Sequence, residues 1–158
     1  MYLIGFGKDI HKLVPSRDLI LGGVKIPAPV GEEAHSDGDV LLHALMDAIL
    51  GALNMGDIGV LFPNHDETYK DKSSLELLKQ VVSIMQEKHY EIVNIDVHIT
   101  LEAPKIQPYL SLMKAKIAPI LGTTTEVISI KAGTNEGIGA LGRCEAVEAS
   151  AIVLLKRR

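Results

Sequence analysis

From Val40 to Leu53 the chain is apolar at nearly every position, interrupted only by His43 and Asp47 and preceded by Asp39. Such a run predicts a helix buried on most sides rather than one lying on a solvated surface. Ser36, with Asp39 three residues on in place of the usual glutamate, resembles a capping box that opens it. Asp39, His43 and Asp47 follow at i, i+4 steps, which stacks them along one face. Ionisable groups rarely enter an interior unless paired or bound to a metal. The stripe therefore reads as the wall of a site, with carboxylates at both i±4 positions as partners for a metal-bound imidazole.

Elsewhere strands and helices alternate. Tyr2–Phe6 reads as a first strand, and Leu19–Leu21 and Val24–Ile26 flank Gly22-Gly23 as a hairpin. Ser74–Lys88 is amphipathic, with Leu75, Leu78, Val82 and Met85 opposite Glu76, Lys79, Gln80 and Ser83. In Ile92–Leu101, Ile95, Val97, Ile99 and Leu101 alternate with Asn94, Asp96, His98 and Thr100, the pattern of a half-exposed strand. A helix is expected from Pro108 to Leu121, its last turn distorted by Pro119 and followed by Gly122. Val127–Ala132 and Glu145–Leu155 read as strands around a glycine-rich loop ending at Arg143. The expected fold is a single domain over residues 1–158 of the α/β (α+β) class, one mixed sheet covered by helices on one face.

The chain has 158 residues, 47% hydrophobic and 23% charged, enough for a sizeable core. No uncharged apolar run reaches the length of a membrane span. A net charge of −4 without a basic run argues against a general nucleic-acid binder. Attraction for a phosphate ligand must then be local. Strand sequence begins without a signal or transit segment, and the lone Cys144 excludes an intrachain disulfide, so the expected compartment is cytoplasmic. Cys144 is expected to be a small packed side chain, and Arg143 and Glu145 a structural ion pair.

Asp9 and His11, two apart, point to one side of an extended backbone. With His43 they would supply three ligands and leave a position open, as catalytic zinc requires. Asp96 and His98 repeat the same spacing, and pattern alone does not choose between the pairs. Asn54–Asp66 is rich in turn formers and reads as a mobile, irregular loop. For Asp57 and Asp66, a cap or turn is as good an account as a function.

Six segments carry a resemblance. They are Gly7-x-Asp9-Ile10-His11, Ala34-His35-Ser36-Asp37-Gly38-Asp39-Val40 through His43-Ala44-Leu45, Gly56-Asp57-Ile58-Gly59, Phe62-Pro63, Ala103-Pro104-Lys105 and Lys131-Ala132-x-Thr134-Asn135-Glu136. In order and spacing the chain resembles the 2-C-methyl-D-erythritol 2,4-cyclodiphosphate synthase family of the non-mevalonate isoprenoid pathway. The resemblance implies zinc on Asp9, His11 and His43, making Asp96 and His98 the decoy. It also implies a magnesium or manganese ion near Glu136, spanning two substrate phosphates. Substrate contacts are implied at Asp9, His11, His35, Ser36, Asp57, Ile58 and Gly59, and along Phe62, Pro63, Asn64, His65 and Asp66. A cytidine pocket is implied over Leu101, Glu102, Ala103, Pro104, Lys105, Ile106 and Gln107, with phosphate-side contacts at Gly133, Thr134, Asn135 and Glu136. His35 and Thr134 correspond to residues that stabilise the transition state.

The resemblance further implies a homotrimer with its sheets packed together and each active site between two subunits, and substrate-binding positions at Ala140 and Arg143, Ala140 by the central cavity. The implied reaction cyclises 4-diphosphocytidyl-2-C-methyl-D-erythritol 2-phosphate and releases CMP. Ala140 stands where an aromatic is usual and Gly133 where threonine is common; Phe6, Lys8 and Asn64 also depart from the pattern without removing a metal ligand. Two other readings compete. One is a zinc phosphohydrolase in which water attacks. The other is a catalytically weak trimer that binds a cytidine nucleotide or an isoprenoid diphosphate.

Overall fold

Alternation along the first strand outlasts its hydrophobicity. In the computed structural model, which describes residues 1–158, β1 runs from Tyr2 to Val14, well past the Phe6 end that apolar residues suggest. Its inward positions continue as Gly7, Asp9 and His11, so the period of two persists while the apolar signal fades. β2 (Leu19–Leu21) and β3 (Val24–Ile26) form the expected hairpin, with Gly22 and Gly23 at φ 57° and 75° as a two-residue turn demands. β4 (Gly31–Glu32) is a short edge strand that the pattern did not announce. There follow α1 (Val40–Ala52), α2 (Ile58–Leu61), α3 (Ser74–Glu87), β5 (Tyr90–Thr100), α4 (Leu110–Leu121), β6 (Ile128–Gly133), α5 (Gly139–Gly142) and β7 (Ala146–Arg157).

The main sheet has the order β4-β1-β7-β5-β6, with β5 and β6 parallel and the other pairs antiparallel. Helices cover one face, as expected: α1 lies on β1 and β7, α3 on α1 and β5, and α4 on α3 and β6. Leu41, Leu45 and Ile49 of α1 meet Val81 and Met85 of α3 and Ile95, Ile99 and Val153 of the sheet in one core. The opposite face exposes Tyr2, Ile4, Phe6, Ile10 and Ile152. Gly5 and Gly7 present bare backbone to Ala44, Ala48 and Ala52 of α1, leaving no room for a side chain. The start of α1 is thereby pressed against the far end of β1. No helix is long and apolar enough to cross a membrane.

Several expectations are corrected. α1 starts at Val40 with Asp39 as its cap, its carboxylate accepting from the Leu42 N–H at 3.1 Å. Ser36 cannot cap it, because Gly38 at φ 79° turns the chain before the helix begins. The Asn54–Asp66 loop contains α2, and the glycine-rich loop contains α5. α4 runs through Pro119 to Leu121, where the sequence ends it, and closes on Gly122 at φ 67° with the Thr123 N–H returning to the Ala118 carbonyl; its first turn starts at Leu110 rather than at Pro108. Cys144 is exposed rather than packed, since it occupies a turn at φ 59° between α5 and β7.

Candidate metal centre and active site

Three side chains from distant parts of the chain converge. Asp9 and His11 project from β1 toward the helices, and His43 reaches them from the first turn of α1; their ligand atoms lie within 4.8 Å of one another. Asp9 Oδ2 stands 2.9 Å from His11 Nε2 and 3.1 Å from His43 Nδ1, with the two rings edge to face at 5.1 Å. Asp96 and His98 form no such cluster. Asp96 pairs with Lys131 at 2.7 Å, and His98 is exposed on the open face of the sheet.

The donor set fits a metal. His11 Nδ1 lies 2.7 Å from the Gly38 carbonyl, which can only accept, so Nδ1 carries the hydrogen. A neutral His11 therefore turns a lone pair on Nε2 toward Asp9 Oδ2, and two acceptors so close need a cation or a proton between them. Without metal, protons serve. Burial works to raise the Asp9 carboxyl, yet hydrogen bonds and charge from His11 and His43 outweigh it and hold it well below the usual carboxylate range. Burial likewise works to lower His11, and the bond and charge of Asp9 push it up instead. Two imidazoles and one carboxylate are the donors of a three-ligand catalytic site.

The polar stripe on α1 divides between structure and site. Only His43 faces the cluster. The Asp39 carboxylate is fully buried and accepts from the backbone N–H groups of Gly22 at 3.0 Å, Gly23 at 2.7 Å and Leu42. Asp47 accepts from the N–H of Ile58, the first residue of α2, at 2.8 Å. Neither backs His43, whose second nitrogen instead meets the hydroxyls of Ser36 and Ser74, each at 3.1 Å. At a helix end a carboxylate finds unpaired N–H donors, and these take it from the side-chain stripe.

A cavity of about 320 Å³ opens beside the cluster, lined by Asp9, His11, His35, Ser36, His43, Ile58, Gly59, Phe62 and Asn64 together with Glu33 and Ala34. His35, one of the lining residues, has its Nε2 3.4 Å from the Asp66 carbonyl. Asp57 and Asp66 cap short helical turns, accepting from Val60 and Thr68 N–H groups, and do not line it; nor do Pro63 and His65. A second cavity of about 310 Å³ lies at the ends of β5 and β6, lined by Leu101, Glu102, Pro104, Lys105, Ile106, Gln107, Ala132, Gly133 and Thr134. Here Glu102 accepts from the N–H groups of Asn135 at 3.0 Å and Gly137 at 3.2 Å, stapling the loop after β6 to the end of β5. Ala103, in a cis peptide with Pro104, and Asn135 and Glu136 stand outside its lining, and no residue lines both cavities.

Ala140 lies with Ile10, Leu13, Val30 and Cys144 around a third, apolar hollow of about 580 Å³. Arg143 pairs with Glu145 at 2.9 Å in the open, as expected for a structural ion pair. Ser74, Glu33 and Arg17, which donates to the Ser36 carbonyl at 2.5 Å, were not singled out by the sequence. Ser74 lies 31 residues from His43, and no spacing rule links them.

Known proteins resemble this chain along its whole length. The model of the YgbB family matches residues 2–156. The 2-C-methyl-D-erythritol 2,4-cyclodiphosphate synthase of Symbiobacterium thermophilum is 50% identical over 156 residues, 99% of each chain. Among solved structures, the bifunctional IspDF from Campylobacter jejuni matches with a TM-score of 0.96 and 40% identity over all of this chain, which spans 43% of that longer one. The CDP complex of Plasmodium falciparum IspF matches with a TM-score of 0.88 and 36% identity, over 99% of this chain and 97% of that one. The chain belongs to the YgbB family, that of the 2-C-methyl-D-erythritol 2,4-cyclodiphosphate synthases.

Proposed function

We propose that this protein cyclises 4-diphosphocytidyl-2-C-methyl-D-erythritol 2-phosphate to 2-C-methyl-D-erythritol 2,4-cyclodiphosphate, releasing CMP, in a cytoplasmic isoprenoid pathway. One observation carries the reading: Asp9, His11 and His43 meet around one point at the mouth of a cavity. In the reaction, an oxygen of the 2-phosphate bonds to the β-phosphorus, and the bond from that phosphorus to the oxygen bridging the α-phosphate breaks. CMP leaves with the electron pair. The nucleophile is already anionic, so the site needs no base to make it, and positioning and charge stabilisation remain as its tasks.

Asp9, His11 and His43 would hold zinc, which as a Lewis acid would polarise the phosphoryl oxygens. Glu136 would help hold a magnesium or manganese ion with the substrate phosphates. His35 and Ser36 border the metal-side cavity and would bind the reacting phosphates, His35 and Thr134 stabilising charge as it builds. Ile58, Gly59, Phe62 and Asn64 would enclose the erythritol portion. Leu101 to Gln107 would take the cytidine, a placement supported by the CDP complex of the Plasmodium falciparum relative. The metal cluster and the nucleotide cavity share no lining residue. That separation supports a homotrimer in which one subunit supplies the metal and its neighbour the cytidine pocket.

Incubation with the cytidylyl substrate and Mg²⁺, with and without a zinc chelator, tests the reading. Equal amounts of cyclic diphosphate and CMP, suppressed by the chelator, are expected. A linear phosphate product would refute cyclisation in favour of hydrolysis.

A further inference from the structure

His43 Nε2, the ring nitrogen turned away from Asp9, is held by hydroxyls rather than by a carboxylate. It lies 3.1 Å from Ser74 Oγ and 3.1 Å from Ser36 Oγ. Ser74 is the first residue of α3 and fully buried. Asp37 grips it at two points, Oδ2 accepting the Ser74 N–H at 2.9 Å and Oδ1 accepting its hydroxyl at 2.5 Å. Asp37 also accepts from the Asp39 N–H at 3.1 Å, so its neighbours here are all donors, and it sits where a helix N-terminus favours an anion.

Proton counting then fixes the ring. A hydroxyl has one hydrogen, and a carboxylate only accepts. With the Ser74 hydrogen committed to Asp37 in a short, charge-assisted bond, Ser74 Oγ can only accept from His43. Nε2 must carry hydrogen, which leaves Nδ1 to face Asp9 Oδ2 at 3.1 Å with a proton or a cation between them. Ser36 Oγ, itself accepting from the Gly38 N–H at 3.3 Å, is a second acceptor for the same hydrogen.

We propose that Asp37 and Ser74 are positioning residues for His43: through the Ser74 hydroxyl they hold its ring in the Nε2-protonated form and aim the Nδ1 lone pair at the point where Asp9 and His11 converge. The inference rests on reading that cluster as a metal site. It assigns to the start of α3 a task beyond beginning a helix. Ser73, the formal cap, makes no side-chain capping bond, and Asp37 satisfies the next N–H from across the fold. The 34–39 loop, α1 and α3 are thereby locked around one imidazole. An outer partner of this kind both orients a ligand and raises its basicity.

The full-length chain, labelled with ¹⁵N-histidine and freed of metal, reports which ring nitrogens of His43 carry hydrogen through long-range ring correlations. The parent is expected to be protonated on Nε2. Ser74→Ala is expected to shift it toward a mixture, because Ser36 alone can donate as well as accept, while Ser74→Thr retains the parental form. Zinc affinity, measured by competition with a chromophoric chelator, is expected to fall roughly 10- to 100-fold in Ser74→Ala and to stay within about threefold of the parent in Ser74→Thr. A parent whose His43 Nε2 carries no hydrogen would overturn the proposal without any variant being needed. So would a folded Ser74→Ala chain with the parental tautomer and zinc affinity. A parent that takes no zinc yet shows the Nε2 form would refute the metal reading and leave the relay standing.

Discussion

Gly7 and Ala44 meet backbone to backbone: a methyl group built on Gly7 would stand 2.0 Å from the Ala44 carbonyl oxygen. Gly5 bears the same relation to Ala48, at 1.8 Å. Ala44 adjoins His43 in the chain, and Gly7 is two residues from Asp9. The contact therefore sets how closely the His43 ring approaches the Asp9 carboxylate. The metal cluster is in this sense a product of helix-on-strand packing.

Gly7→Ala tests that dependence. The obstacle is a backbone oxygen, so no side-chain rotation relieves it, and α1 must shift away from β1. Stability in denaturant melts is expected to fall by about 1–3 kcal/mol, the usual cost of overpacking. Zinc affinity is expected to fall with it. An alanine that stabilises the chain and leaves zinc binding intact would show that α1 and β1 are not held at this distance.

Asp9→Asn leaves the size of the side chain but removes the one anion that faces both imidazoles. Metal content after dialysis, measured by mass spectrometry, is expected to drop to a trace, and CMP release by about 100-fold or more. Because Asp9 carries its charge on account of the two histidines, the variant is expected to fold. His43→Ala should behave alike, whereas His98→Ala, on the open sheet face, should keep metal and activity.

The parts legible in the sequence are those set by neighbours in the chain. Asp9 and His11 share a side because of the strand period, the glycine pair announces the hairpin, and the apolar run announces α1. The nature of the α1 stripe was not legible. Asp39, His43 and Asp47 do align, but the carboxylates at the two ends of the row are drawn to free backbone N–H groups of Gly22, Gly23 and Ile58, which lie elsewhere in the chain. Nor could spacing choose Asp9-x-His11 over Asp96-x-His98. That choice depends on which strand has glycines for α1 to press on. Ser74 was invisible for a related reason: its partner is set by packing of α3 against α1, not by sequence distance.

Asp39→Ala separates the structural part of the stripe from the functional one. One buried carboxylate serves as cap to α1 and acceptor for the hairpin turn, so its loss strands three N–H groups. A cap contributes about 1 kcal/mol and each stranded buried donor costs about 1–3 kcal/mol, so a loss of about 3 kcal/mol or more is expected. Zinc stoichiometry of the folded fraction is expected to stay unchanged. Loss of zinc with undiminished stability would restore Asp39 to the metal site.

Glu32 gives the fold a pH dependence of definite sign. It is fully buried on β4, with Oε2 accepting from the Ile20 N–H at 3.1 Å and Oε1 without a partner. Burial, reinforced by the charge of Asp39, pushes its carboxyl from 4.5 up to about 9. Between those values the folded chain holds a proton that the unfolded chain has released. The stabilising effect is full below 4.5 and is lost as pH rises toward about 9, with a slope of at most about 1.4 kcal/mol per pH unit. Asp39, raised by burial and by the charge of Asp37 to about 6, acts in the same sense over a lower range and is common to parent and variant. Glu32→Gln is neutral throughout and keeps the shape. Denaturant melts are therefore expected to find it no more stable than the parent near about pH 5 and progressively more stable toward about pH 8. A constant offset between the two chains across that range would mean that Glu32 does not hold the proton.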